Sequence, residues 1–169
     1  MKLTEAKEKF IHSWGSLGSN WGINRTMAQI HALFLIEDDL LSAEDVMEKL
    51  KISRGNTNMN IRTLIDWGLV YKEYQVGERK EFFRGEKDIW KVTQRVIKSR
   101  QRQELDPMLD ILTMLSNVSI EDGNKEELKS FKKQINSIKS FSELADRSLT
   151  KISGSEENWF LKTFMKFMS

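Results

Sequence analysis

The sequence predicts a mainly α-helical protein with one small β-hairpin, and three observations carry that expectation. Only one proline, Pro107, and nine glycines occur in 169 residues, so the chain is poor in helix breakers. Apolar residues recur at three- and four-residue spacing through most of the chain. Between about Leu69 and Arg84 that rhythm gives way to alternation around Gly77, as a hairpin requires.

The elements follow in order. Thr4 to Trp14 reads as a helix with Phe10, Ile11 and Trp14 on one side, and "GSLGSNWGIN", Gly15 to Asn24, reads as a loop from its glycines, serines and asparagines. Asn24 is the expected cap of a helix over Arg25 to Ile36, with Ile23 and Met27 placed to pack around its start. Ser42 and Asp45 form a capping signature for a short helix, Ala43 to Leu50, whose acidic first turn suits the helix dipole. A three-residue link leads to a second helix, capped by Ser53 and stopped at Gly68. Leu69 to Tyr74 and Lys80 to Arg84 are the two strands of the hairpin. From Asp88 the pattern is long-helical, with a kink or restart at Pro107, a further helix carrying Leu128, Phe131, Ile135, Ile138 and Leu144, and an aromatic tail, "WFLKTFMKFM".

Composition narrows the function classes. Without cysteine the chain has no disulfide and no thiolate metal site, which fits a reducing cytoplasm. No apolar run approaches the roughly 20 residues that span a bilayer, and the charged N-terminus does not read as a signal peptide. The net charge is +2, but residues 51–102 carry 13 basic against 6 acidic residues, a local +7, whereas the remainder carries 14 against 19. A basic middle between acidic flanks suits a face that meets a polyanion. Nothing suggests an enzyme: His12 and His31 lack ligand spacing, no phosphate-binding glycine loop follows a strand, and Glu37 to Asp39 reads as a solvated turn rather than a cation site. No metal or cofactor is expected.

The helix over Ser53 to Trp67 is the informative one. At about 100° per residue, Thr57, Ile61, Leu64 and Ile65 share a face that would pack on the preceding helix. Gly55, Asn56, Met59, Asn60 and Thr63 are assigned to the opposite face, as candidate readers of DNA base edges, because asparagine both donates and accepts. Ser53, Arg54, Asn58 and Arg62 are assigned to phosphates, together with Arg79, Lys80 and Arg84 of the hairpin. No carboxylate precedes Asp66 on this helix, where an ordinary surface helix would mix glutamate with lysine. Two short helices joined by a tight turn and followed by a hairpin make a winged helix-turn-helix. A winged helix used for protein–protein contact is the alternative, but such a face wants large apolar anchors, and Met59 alone qualifies. Single-stranded RNA binding would want exposed aromatics in the sheet, and alternation buries one of Phe82 and Phe83.

Three stretches carry a resemblance to a known family: "GSNWGINRTMAQIHALFLI", Gly18 to Ile36; "LSAEDVMEKLKISRGNTNMNIRTLIDWGLV", Leu41 to Val70; and "GERKEFF", Gly77 to Phe83, with some similarity extending through "EKDIWKV", Glu86 to Val92. They resemble the MarR-like transcriptional regulators, and more narrowly the group named for the glycine-betaine-synthesis repressor, GbsR. The resemblance implies a homodimer bound to a roughly palindromic double-stranded DNA operator, usually as a repressor. It gives the recognition role to residues 53–67 and the wing role to 72–84. It also implies terminal helices that dimerise and, often, a small-molecule pocket. The expected division is residues 1–24 as part of the dimerisation region, 25–87 as the DNA-binding domain and 88–169 as the helical dimerisation region.

The dimer has independent support, since the stripe from Leu128 to Leu144 and the tail aromatics Trp159, Phe160, Phe164 and Phe167 all want a partner. The tail's shortness and two lysines argue against a membrane-surface helix. Trp14 and Trp21 bracket the Gly/Ser-rich loop and are assigned to an effector cage, because tryptophan rings hold quaternary ammonium groups; that the effector is choline-like is what the resemblance to a betaine-synthesis regulator implies.

Overall fold

The computed structural model describes residues 1–119 and 124–154. The chain divides into two compact units, Met1–Val92 and Thr93–Ser169. The first unit holds α1 (Leu3–Asn20), α2 (Arg25–Ile36), β1 (Leu41–Ser42), α3 (Ala43–Leu50), α4 (Arg54–Asp66), β2 (Val70–Glu73) and β3 (Phe82–Gly85). The strands form an antiparallel sheet in the order β1-β3-β2, with Leu41 opposite Phe83 and Tyr71 opposite Arg84. Mostly helical, with a small three-stranded sheet, the fold is a winged helix-turn-helix followed by long helices.

The core of this unit is the meeting of α2, α3, α4 and the sheet. Ile30, Leu33 and Phe34 from α2, Val46 from α3, Ile61 and Leu64 from α4, and Leu69, Val70 and Phe83 from the hairpin are all buried. The expected caps form: Asn24 Oδ1 accepts from the Met27 N–H at 3.1 Å, and Ser42 and Asp45 close a reciprocal capping box. Lys87 closes the C-terminus of α2, its ammonium donating to the carbonyls of Leu35 (3.0 Å) and Glu37 (2.5 Å), where the helix dipole favours a cation. Glu37 pairs with Lys7 and Lys49, while Asp38, 3.6 Å from Lys87, and Asp39 stay exposed, as expected of a solvated turn.

Three expectations are corrected. The stretch read as a loop from Gly15 is the second half of α1, which runs to Asn20; the true turn is only four residues, 21–24, with Gly22 at φ 74°. The glycines serve helix packing. A Cβ on Gly18 would lie 2.6 Å from the Ala28 Cβ, and one on Gly15 2.6 Å from Gln29 Cγ, so α1 and α2 approach closely there. A third strand, β1, was not expected; its two residues pair with the wing strand β3. The strands of the hairpin are also shorter or shifted, with β3 beginning at Phe82 and ending at Gly85.

Gly85 is where the wing sits against α2. A Cβ there would lie 2.7 Å from the Phe34 carbonyl oxygen and 2.8 Å from the Phe34 Cβ, and a helix carbonyl cannot swing aside as a side chain can. Gly85→Ala should therefore destabilise the protein by about 1–3 kcal/mol, the usual range for overpacking. Urea denaturation checks this; an unchanged midpoint would mean the wing yields without cost.

In the second unit the chain runs from α5 (Ile89–Arg100), which begins in the first unit, through a π-helical turn (Gln101–Leu105) into α6 (Asp106–Ser116). The break expected at Pro107 thus takes the form of a widened turn just before it, in which the Asp106 N–H reaches back to the Gln101 carbonyl. Proline has no N–H to give the preceding turn, which frees the local ladder to relax. The buried Gln101 amide donates to Asp146 Oδ1 (2.9 Å) and Thr150 Oγ1 (3.1 Å) of α7 (Lys125–Ser153). Few of the described residues of this unit are buried; Leu112 is the apolar one on α6, and α7 has none. The tail aromatics Trp159 to Phe167 lie outside the described residues.

Candidate nucleic-acid interface

The interface is built on a turn. α3 ends with Lys51 in the left-handed region, φ 54° and ψ 46°, its N–H bonded to the Met47 carbonyl. A side chain there costs about 1–2 kcal/mol, and it turns the chain sharply enough for α4 to start three residues later. Ser53 caps α4, accepting from the Asn56 N–H at 3.4 Å, and its carbonyl accepts from Thr57 Oγ1 at 3.0 Å. Gly68, at φ 73°, ends the helix as expected, with the Leu69 N–H bonded back to the Leu64 carbonyl.

α4 presents one face to the core and one to solvent. Thr57, Ile61 and Leu64 are buried and Ile65 half-buried, in line with the predicted packing face. Arg54, Gly55, Asn58, Met59 and Arg62 are exposed, and Asn56 and Thr63 are half-exposed. Met59 is 58% exposed at the middle of this face. Asn60 is the exception and a correction: it is 3% exposed, and its amide bonds to Asn56 instead of pointing outward. It stands three residues after Thr57 and four before Leu64, on the ridge those buried residues share. Thr63 also departs in part, because its hydroxyl proton is given to the Met59 carbonyl at 3.1 Å.

The phosphate candidates fall into two groups. Arg62, Arg79 and Lys80 are exposed and form no ion pair among the described residues, so their charges are available. Arg54 pairs with Glu44 of α3 at 3.4 Å, and Arg84 with Glu73 across the hairpin at 3.1 Å while lying over the Tyr71 ring. A phosphate would have to displace these carboxylates, at a cost of about 0.2–1 kcal/mol each for exposed pairs. Lys72, which sequence reasoning passed over, is held by Glu81, whose carboxylate raises its pKa. Between α3, α4 and β3 lies an open groove lined by Glu44, Arg54, Asn58, Lys80, Glu81 and Phe83. Lys80 stands at its wing side, and Arg79 precedes it in the turn around Gly77 (φ 89°).

The loop expected between Trp14 and Trp21, the ground for the effector cage, is helix instead. This places the two rings about two turns apart, and Trp14 stacks against Phe10 (5.5 Å) and His31 (6.1 Å). Trp21 is 66% exposed at the helix end. The tryptophan basis for a choline-like effector falls with the loop. His31 is a core histidine, 5% exposed, whose pKa burial lowers to about 4.

Two helices crossing at a tight turn, with a flanking three-stranded wing, define a winged helix-turn-helix. Residues 21–80, which hold α2 to β2 and end just before β3, match the model of the MarR family. The chain is also similar in structure to a protein solved as "Crystal Structure of a transcriptional regulator", with a TM-score of 0.58 over 89% of this chain and 99% of that one. At 17% identity the likeness speaks for the fold. A search of curated proteins finds no match.

Proposed function

We propose that the protein is a sequence-specific, DNA-binding transcription regulator of the GbsR-like kind, a repressor acting as a homodimer. The observation that carries this is the open face of α4: amide, hydroxyl and thioether groups at Asn56, Asn58, Met59 and Thr63, with no carboxylate before Asp66 at the helix end, flanked by Arg62, Arg79 and Lys80, which form no ion pair among the described residues. In this reading α4 enters the major groove, and the wing, residues 72–84, lies along the backbone. The match to the MarR family over residues 21–80 supports it, as does the sequence "SRGNTNMNIRTLIDWGLV" from Ser53 to Val70. A partner-protein surface is less well suited, since Met59 is the large apolar group on that face.

Residues 88–169 are proposed as the dimerisation region. Met108, Ile111 and Met114 of α6 and Phe131, Ile138, Phe141 and Leu144 of α7 are exposed apolar residues, more than an isolated helical pair leaves in water. A two-fold axis would set the two α4 helices about one DNA turn apart. Selection from a pool of random-sequence duplexes tests the whole reading: the expected motif is two-fold symmetric, with half-sites about 10 base pairs apart. Recovery of no enriched sequence would overturn it.

Phe141 is 72% exposed, and a charge buried at a dimer interface without a partner costs several kcal/mol. Phe141→Glu should thus weaken dimerisation by roughly 100-fold or more, read by sedimentation, with operator affinity falling alongside. A variant that sediments like the parent would remove α7 from the interface.

A further inference from the structure

Asn56 and Asn60 stand one turn apart on α4, and the bond between them fixes what Asn56 can offer. The Asn60 Nδ2 lies 2.8 Å from the Asn56 main-chain carbonyl oxygen and 2.7 Å from Asn56 Oδ1. A main-chain carbonyl only accepts, so the Asn60 atom beside it must be the nitrogen. The second proton of that nitrogen then needs an acceptor, so the Asn56 atom facing it must be the oxygen. The main chain thereby orients both amides, which contour shape alone would leave open to a flip. Asn60 is 3% exposed, so breaking its bond to Asn56 Oδ1 would leave a buried N–H unpaired.

Asn56 therefore has its oxygen turned inward and its Nδ2, with two protons, left over on the half-exposed side. We infer that Asn60 is a positioning residue that turns the donor end of Asn56 outward and so biases it toward the two acceptors of a guanine edge. This rests on the DNA-reading function proposed above. Guanine offers N7 and O6, both acceptors, in the major groove. The usual two-bond asparagine–adenine pair needs both ends of the amide, because adenine shows an acceptor at N7 and a donor at N6. Oδ1 keeps a second lone pair, but an adenine N6 donor would have to share an oxygen already committed to a buried N–H, so the second bond to adenine is weakened. Cytosine, which shows the N4 donor, meets donor with donor. The two-bond adenine pairing usual for asparagine thus gives way to a guanine preference.

The test is selection of random-sequence duplexes by the full chain and three variants. In the parent, one position per half-site should lose its preference in Asn56→Ala, and that position should be guanine by on the order of tenfold over adenine. In Asn60→Leu the Asn56 amide is free to turn, so adenine should rise there to within a few-fold of guanine while other positions hold. Asn56→Asp keeps an oxygen for Asn60 and turns another outward, so cytosine should become the preferred base. This last change is on the surface and serves if thermal melting shows Asn60→Leu unfolded. Adenine at the Asn56-dependent position of the parent, an unchanged preference in folded Asn60→Leu, or no shift to cytosine in Asn56→Asp would each overturn the inference. So would an enriched motif with no position that depends on Asn56, which leaves the DNA-reading function standing. A parent that enriches nothing overturns both.

Discussion

Met59→Glu is expected to lower affinity for duplex DNA by roughly two orders of magnitude or more, because like charges brought together in an interface cost several kcal/mol. Met59 is 58% exposed and flanked one turn away on either side by Asn56 and Thr63. Its side chain packs little in the folded protein, so thermal melting should hardly change. If α4 enters the groove, the new carboxylate is carried between two phosphate backbones and is desolvated there. Met59→Gln, of similar length and uncharged, should lose far less, and the difference between the two isolates the charge.

Salt separates this effect from a shape effect. Binding of the parent should weaken steeply as salt rises, since phosphate contacts release counterions. The penalty of the Glu variant should shrink over the same range, because screening acts on the repulsion too. Fluorescence anisotropy with a labelled duplex at several salt concentrations reads both. If the Glu and Gln variants bind alike at low salt, the face around Met59 does not lie in the DNA, and the orientation of α4 argued above is wrong.

How far the sequence carried this reading depends on the range of the forces involved. Caps and stops are local, so Asn24, Ser42 with Asp45, Ser53 and Gly68 marked their helix ends well. The packing stripe of α4 was legible at Thr57, Ile61 and Leu64 for the same reason. Gly15 and Gly18 misled because glycine weakens a helix locally, while its benefit here is a close approach to Gln29 and Ala28 on another helix. The strand β1 is too short to show any alternation, and it exists through pairing with β3, some forty residues on. Asn60 was misplaced because its polarity outweighed its position. Its spacing to Thr57 and Leu64 was the available signal, and the amide of a neighbour one turn back satisfies it in the core. The Glu44 and Glu73 partners of Arg54 and Arg84 come from other elements, which no spacing rule reveals.

Acidification should cost the first unit about 3 kcal/mol through His31 alone, a pKa unit being worth about 1.4 kcal/mol. The ring is 5% exposed, Nε2 has no hydrogen-bond partner among the described residues, and Trp14 lies beside it. Burial without an acceptor favours the neutral ring and lowers its pKa from 6.5 to about 4. Between those values the unfolded chain takes up a proton that the folded chain refuses. Stability is therefore intact above pH 6.5, falls through the window and levels off below about 4. Asp45 adds a separate loss at lower pH. The Ser42 hydroxyl and main-chain N–H lower its pKa from 3.8, so its contribution fades only as pH drops through that lowered value. His31→Leu removes the proton site and the unpaired nitrogen together, a replacement that tends to be neutral or stabilising at neutral pH. Urea denaturation of parent and variant across the window should give a slope for the parent and a nearly flat line for the leucine protein. Because α2 packs against α4, the parent's DNA affinity should decline with its folded fraction as the acid limb is reached. Equal losses in the two proteins would assign the acid sensitivity to the surface carboxylates instead of to the α1–α2 layer.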